Sequence, residues 1–403
     1  MAWLALRLGS SFWVWLLRLL ALLGHSRAKA RVAIRKEGHH NVMSCEEQAV
    51  MWFHVSSLGE LEQALPVMQA YRERHPRTAW LLTVYSPSAW HPLQQKLPEG
   101  WREGDVMAVL PDDQPRTWAL WLAHLPLEGL ALAKYDLWPH LLTACKRAGV
   151  PVHAFGASPS GGRITNPALW RGLATISVQD QEAAAAFNGL DMEGTVHVDG
   201  DPRVERVLSR STQLSSAWRT WAAAAEAVVV AGSTWQEEER LLRSMEWHAQ
   251  CRLVLVPHDV SPTHLDALDA QWDGLAVRWS QWSQMSLEDQ LRWHVVVVDA
   301  TGLLFDLYRI ARVAAIGGGH GPSGLHNVLE PASAGLPIVT GPRLGDFREA
   351  VALQSMGVLR SESFVHDLET ALSQPNESKA SGERGLRWLK DQEGASAGIV
   401  ARW

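Results

Sequence analysis

The sequence predicts an α/β chain made of two Rossmann-like halves behind an apolar amino-terminal helix. Three observations carry this: apolar runs alternate with helical patterns in two separate series, a Gly/Pro-marked polar seam divides the series, and 403 residues suffice for two ordinary domains. The 47% apolar content excludes a disordered chain. A net charge of −6, without a zinc-finger or basic-helix pattern, makes nucleic acid an unexpected partner. Cys45, Cys145 and Cys251 are odd in number, far apart and without C-x-x-C spacing, so no disulfide framework or thiolate metal site is implied and a reducing compartment fits. The 21 tryptophans have no period and read as core and interface filling.

Residues 1–26 open with MAWLALRLGSSFWVWLLRLLALLG, followed by a basic stretch of Arg27, Lys29, Arg31, Arg35 and Lys36. On a helix turning about 100° per residue, Arg7, Arg18 and His25 fall within about 20° of one another. One polar stripe on an apolar cylinder describes a helix in the membrane interface, or a tilted anchor with snorkelling arginines. The cations after it would keep the rest cytoplasmic. A cleaved signal peptide, which Arg18 interrupts, and a helix packed on the domain are the alternatives.

The first half, residues 27–205, reads as strand and loop at AVMWFHVSSLGE, helix at LEQALPVMQAYRERH, strands at AWLLTVYS and DVMAVLP, helix at TWALWLAHL, strand at EGLALAKY, and a helix closed by Gly149. Such alternation gives a parallel sheet with covered faces. After the seam at HVDGDPRVERVLSRST, residues 206–380 repeat the rhythm from AVVVAGST through RLVLVPHD and HVVVVDAT to VAAIGGG. Residues 381–403 read as a terminal helix returning to the first half. Two such halves facing a cleft make the GT-B glycosyltransferase architecture.

At the end of the second series stands GGGHGPSGLHNVLEPASAGLPIVTGP, from Gly317. A strand, a glycine loop and a helix start at His326 and Asn327 together would offer outward N–H groups to a phosphate, while Glu330 could take two ribose hydroxyls. Glycines there also serve tight turns and close packing. The spacing is neither GxxxxGK[ST] nor a well-placed GxGxxG.

In HVSSLGE, Glu60 falls at a strand's carboxyl end and a helix start. Strand carboxyl ends are where parallel sheets bind ligands, although the helix dipole alone also favours an acid there. With KYDLWPHLL, GDPRVERV, VAGSTWQEEE, LVLVPHD and the glycine block in this order, the chain resembles the Kdo transferases from the anchor to about residue 375. These transfer 3-deoxy-D-manno-oct-2-ulosonic acid (Kdo) from CMP-Kdo to a lipid A precursor.

The resemblance implies a GT-B fold, an inverting displacement without metal or cofactor, and attachment to the cytoplasmic side of the inner membrane. Its implied catalytic residues are Glu60, the general base, Asp136, and Arg203 as a phosphate donor group. The implied donor site holds Ser233, His258, Asp259, Thr301, Gly302, Gly319, His326, Asn327, Leu329 and Glu330, with Thr301 and Gly302 in a segment beside the phosphate loop. The chain departs from the family at Arg203, usually lysine, at Lys134 and Asp136 in place of two glutamates, and at Pro257-His258-Asp259 in place of Pro-Arg-His. A transferase for another nucleotide sugar, or a silent binding protein on this scaffold, are the rival readings.

Overall fold

The computed structural model describes residues 9, 12, 15–37, 48–159, 164–247, 250–321, 324–345 and 347–403. The chain forms two compact units, one of residues 1–206 with 392–403, the other of residues 207–391.

The first unit is a seven-stranded parallel sheet in the order β3-β2-β1-β4-β5-β6-β7. Its strands are β1 (Val50–Val55), β2 (Ala79–Val84), β3 (Val106–Val109), β4 (Leu127–Ala133), β5 (Val152–Ala157), β6 (Thr175–Val178) and β7 (Thr195–Val198). Every residue of β1 and β2 is buried, as expected where helices cover both faces and alternation disappears. Helix α1 (Ser26–Glu37) precedes β1, and α2 (Leu58–Arg74), capped by Ser57, follows it. Helix α3 (Pro202–Ser209) ends the unit's first stretch. The chain's final helix, Ala395–Ala401, returns to this unit, where Ile399 and Val400 join the core around Phe53. Trp403 stacks on His153, with ring centroids 5.2 Å apart.

The second unit is again seven parallel strands, in the order β10-β11-β9-β8-β12-β13-β14. These are β8 (Ala227–Thr234), β9 (Cys251–Pro257), β10 (Ala276–Arg278), β11 (Val295–Val297), β12 (Val313–Ile316), β13 (Ile338–Thr340) and β14 (Leu359–Arg360). Helices α4 (Gln236–Ser244), α5 (Leu304–Leu307) and α6 (Leu329–Ser333) follow β8, β11 and β12. Trp52, Trp80, Trp118, Trp221 and Trp282 are almost wholly buried, so a large part of the tryptophan excess is core.

Half of the apolar amino-terminal run, residues 1–24, lies outside the described residues. Of it, residues 15–22 are helical, and no helix among the described residues is long and apolar enough to cross a membrane. The basic stretch after it forms α1, which buries Ala28, Arg31 and Ile34.

Candidate active site

Sheet order reverses between β1 and β4 in the first unit, and ligand crevices open at the carboxyl ends of strands at such points. Glu60 follows β1 and Asp136 follows β4, so the topology brings them together. His54, wholly buried on β1, points Nε2 at Asp136 Oδ2, 2.6 Å away. Its Nδ1 is anchored on Thr83, 2.9 Å from the hydroxyl and 3.1 Å from the carbonyl. The Ser56 hydroxyl donates to the same Asp136 oxygen. Burial alone would raise the Asp136 pKa, but the hydrogen bond and charge of His54 and the Ser56 hydroxyl hold it below the usual value. The ring nitrogen facing that anion therefore carries a proton.

Glu60 lies at the first turn of α2. Its N–H reaches the Ser57 hydroxyl at 3.4 Å, and its Oε2 accepts from the Ser56 N–H at 2.5 Å. One oxygen thus closes the helix start, and among the described residues Oε1 has no hydrogen-bond partner. Burial raises the Glu60 pKa, and the Asp136 charge adds to this, against the Ser56 N–H, His54 and Lys134. A carboxylate so perturbed at a switch point suits a general base. Lys134, directly after β4, has φ of 56°, a left-handed backbone uncommon without glycine.

Arg203 stands on α3 with its guanidinium on Asp201: Nε to Oδ2 at 2.9 Å and Nη2 to Oδ2 at 2.6 Å. Its charge is engaged within its own turn. One turn on, Arg206 bonds Glu62 of α2 at 2.5 Å and ties α3 to the helix that carries Glu60.

In the second unit the reversal lies between β8 and β12. Ser233 takes φ of 53° at the end of β8. The glycines after β12 answer to backbone packing: a Cβ on Gly317 would lie 2.1 Å from the Ser233 carbonyl oxygen, and one on Gly319 would lie 2.6 Å from the Gly341 nitrogen. Close packing, the plainer of the two readings of these glycines, therefore accounts for both. Glu238 of α4, fully buried, organises the loop by accepting from the Trp235 N–H at 2.9 Å, the Gly318 N–H at 3.3 Å and His320 Nδ1 at 2.8 Å.

Trp235, His258 and His326 form a group of stacked rings, with centroids 4.4 Å apart for Trp235 and His258 and 4.6 Å for His258 and His326. The Trp235 indole N–H, which can only donate, gives its proton to His326 Nε2 at 3.0 Å. Burial, and then the neighbouring His258, lower the His326 pKa to about 4, so the ring is neutral with its proton on Nδ1.

The helix after the glycine loop is only five residues long, Leu329–Ser333, because Gly335 and Pro337 follow so closely. The Asn327 side chain, one residue before the N-cap Val328, accepts from the Leu329 N–H at 3.0 Å, so that N–H is already occupied. Leu329 is 1% exposed and belongs to the packing. The carboxylate of Asp259 accepts from the Ser261 N–H and hydroxyl at 2.8 and 3.0 Å, a local turn before the next helix that lowers its pKa.

Glu330 sits one residue into α6, half-buried. Thr301 and Gly302, both exposed, follow β11, and β9 and β8 separate that strand from β12. The chain then returns through α5, whose Leu304 packs against Gly232 of β8.

His54, Trp235, Glu238 and His320 were not singled out from the sequence. The three acids Glu237, Glu238 and Glu239 after β8 held the available signal, since one helix turn cannot keep all three in solvent; Glu238 and Glu239 are both buried.

Residues 26–206 match the model of the 3-deoxy-D-manno-octulosonic-acid transferase (kdotransferase) family. Proteins with that name from Bordetella pertussis and Chlamydia trachomatis are 26% and 24% identical to this chain, each over 86% of it and 85% and 83% of their own lengths. The one from Haemophilus influenzae is 23% identical over 92% of this chain and 90% of its own. Over most of its length the chain is thus similar to Kdo transferases, and residues 26–206 carry the match to the family's model. Its fold matches a UDP-N-acetylglucosamine 2-epimerase structure from Listeria monocytogenes, with TM-score 0.59 and 9% identity over 88% of this chain and 94% of the other. A Rickettsia africae glycosyltransferase matches with TM-score 0.57 and 10% identity over 88% of this chain and 96% of the other. Two parallel-sheet α/β units, as in these solved structures, are thus the fold of this chain.

Proposed function

We propose that the protein transfers Kdo from CMP-Kdo to a lipid A precursor with inversion. The observation that carries this reading is the pairing of Glu60 and Asp136 at the switch point of the first sheet, in the stretch that matches the family's model. Glu60 Oε1 takes the proton of the attacking sugar hydroxyl as the oxygen bonds to the anomeric carbon and CMP leaves. Asp136, kept anionic by His54 and Ser56, raises the basicity of Glu60 and orients the Ser56 turn. In the second unit the neutral His326 offers its Nδ1–H to the departing phosphate as a donor without charge. The ring group of Trp235, His258 and His326 supplies flat surface for a nucleotide base.

Membrane attachment is part of this reading. Phe12, Trp15, Leu22 and Leu23 are 59%, 58%, 85% and 74% exposed, a run of apolar side chains suited to a lipid interface. The inner membrane, cytoplasmic face, is the surface we assign to it. Incubating the protein with CMP-Kdo and a tetraacylated disaccharide and weighing the lipid product tests the reaction; no mass gain with CMP-Kdo, or a gain with a UDP- or GDP-sugar instead, would reject it.

A further inference from the structure

A cavity of about 300 Å³ lies in the second unit, where β10 and β11 run side by side at one end of the sheet, and it shares no residue with the donor site proposed above. Three tryptophans line it: Trp218 from the helix Ser216–Ala223 that leads into β8, and Trp279 and Trp282 from the short helix after β10. Trp218 and Trp282 pack on each other with ring centroids 4.4 Å apart, and Trp221 lies 5.4 and 6.1 Å from them. Leu303 and Leu307, from the segment after β11, complete the apolar wall. A volume of this size is that of a small-molecule site, and walls already packed on one another need little ordering when a ligand enters.

Asp306 decides what the cavity can hold. Gln290 and Ser283, also on the wall, are engaged: Gln290 Nε2 donates to the Trp282 carbonyl at 2.9 Å, and the Ser283 hydroxyl to the Ser280 carbonyl at 3.2 Å. Asp306 of α5 lines the cavity half-buried, and its Oδ1 is buried without a hydrogen-bond partner among the described residues. Arg309, one turn on, feels its charge but gives Nη1 to the Ser333 carbonyl at 3.0 Å and lies 5.2 Å over the Phe305 ring. Arg210 lies 4.3 Å over the same ring. A carboxylate oxygen shut away from water without a donor is costly, and tryptophan faces attract cations. Together the acid and the aromatic walls favour a positive group that carries N–H donors on an apolar stem.

We propose that this cavity binds an organic ammonium ion, its N–H groups toward Asp306 and its hydrocarbon stem among Trp218, Trp279 and Trp282. It is a ligand site additional to those of the transfer reaction. Leu304 of α5 packs against Gly232, next to Ser233, so an occupant rests on the element that runs from the cavity to the end of β8.

The test is isothermal titration calorimetry of the full chain at pH 7 with n-hexylammonium chloride, n-hexanol and sodium hexanoate. The ammonium should bind roughly tenfold tighter than the alcohol, the scale of one charged hydrogen bond, and hexanoate more weakly than both. Asp306→Asn, which keeps the shape of the side chain, should bring the ammonium down to the affinity of the alcohol and leave the alcohol unchanged. Trp279→Leu, an apolar wall without an aromatic face, should weaken the ammonium alone by roughly threefold, and it carries the test where Asp306→Asn does not fold. Equal affinity for ammonium and alcohol in the wild type, or binding of neither, overturns the proposal. So does a preference undiminished in either variant, which assigns it to the net charge of −6 on the whole chain. Calorimetry reads no transfer, so the result stands whether or not the protein moves Kdo.

Discussion

His54 Nε2 stands 2.6 Å from Asp136 Oδ2, and the other nitrogen of the same ring is held by Thr83, whose hydroxyl accepts from the Trp52 indole at 2.7 Å. A buried chain of side chains therefore fixes the acid beside Glu60. Replacing His54 by Phe leaves the Asp136 oxygen and the Thr83 hydroxyl each short of a partner. The expected cost is about 1–3 kcal/mol of stability, read by urea denaturation at neutral pH, together with a drop in kcat; unchanged stability and rate would remove His54 from the site.

Glu60→Gln keeps an oxygen to accept from the Ser56 N–H but removes the proton acceptor. We expect kcat to fall by roughly 10²–10⁴ with KM little altered, the usual contribution of a general base. Steady-state transfer kinetics measure this, and a fall confined to KM would reassign Glu60 to binding.

The pH dependence follows from the same pair. Because burial and the Asp136 charge raise the Glu60 pKa, the rate should decline on acidification at a pH above the ordinary glutamate value. Asp136→Asn removes a charge that favours protonated Glu60, so the acidic limb should move to lower pH. A kcat/KM profile of both proteins, with the limb of the variant unmoved or displaced upward, would contradict the assignment.

Gly317→Ala places a methyl group 2.1 Å from the Ser233 carbonyl oxygen, an atom that cannot swing away. Overpacking of this kind costs about 1–3 kcal/mol or more. Gly149→Ala meets no neighbouring atom, but its φ of 71° still carries left-handed strain, so it serves as a comparison of strain without contact. Thermal melting of both variants should show the larger loss at Gly317.

Acid should also unfold the protein through buried histidines. His153 and His326 each have a pKa lowered from 6.5 to about 4, mainly by burial. Between those values the unfolded chain binds protons that the folded one does not, so stability is full above about pH 6.5 and falls as pH drops toward 4. Denaturation midpoints at pH 7 and 5 measure this; His153→Gln, which cannot titrate, should reduce the difference.

Much of this molecule was legible from residue patterns. The buried runs VMWFHV and AWLLTV could only be strands covered on both faces, and Ser57 followed by Glu60 marked a helix start at a strand's carboxyl end. The motif blocks in order pointed to the family. The glycine block was legible only in part: its residues suggested a phosphate loop, yet Gly317 and Gly319 are required by the approach of Ser233 at the end of β8 and of Gly341 after β13. No local pattern encodes the approach of Gly317 to Ser233 or of Gly319 to Gly341, which lie on separate stretches of the chain.

The sequence by itself determined the two-series α/β plan, the candidate base Glu60 and the apolar and basic segments at the amino terminus, since period, capping and charge are properties of neighbouring residues. Tertiary structure alone decided that His54 would hold Asp136, that Trp235 would set the proton on His326, and that Asp306 would line a tryptophan-walled cavity with an unfilled oxygen. Each of these depends on burial and on partners distant in the chain, and hydrogen-bond geometry and desolvation exist only once strands from separate stretches lie side by side.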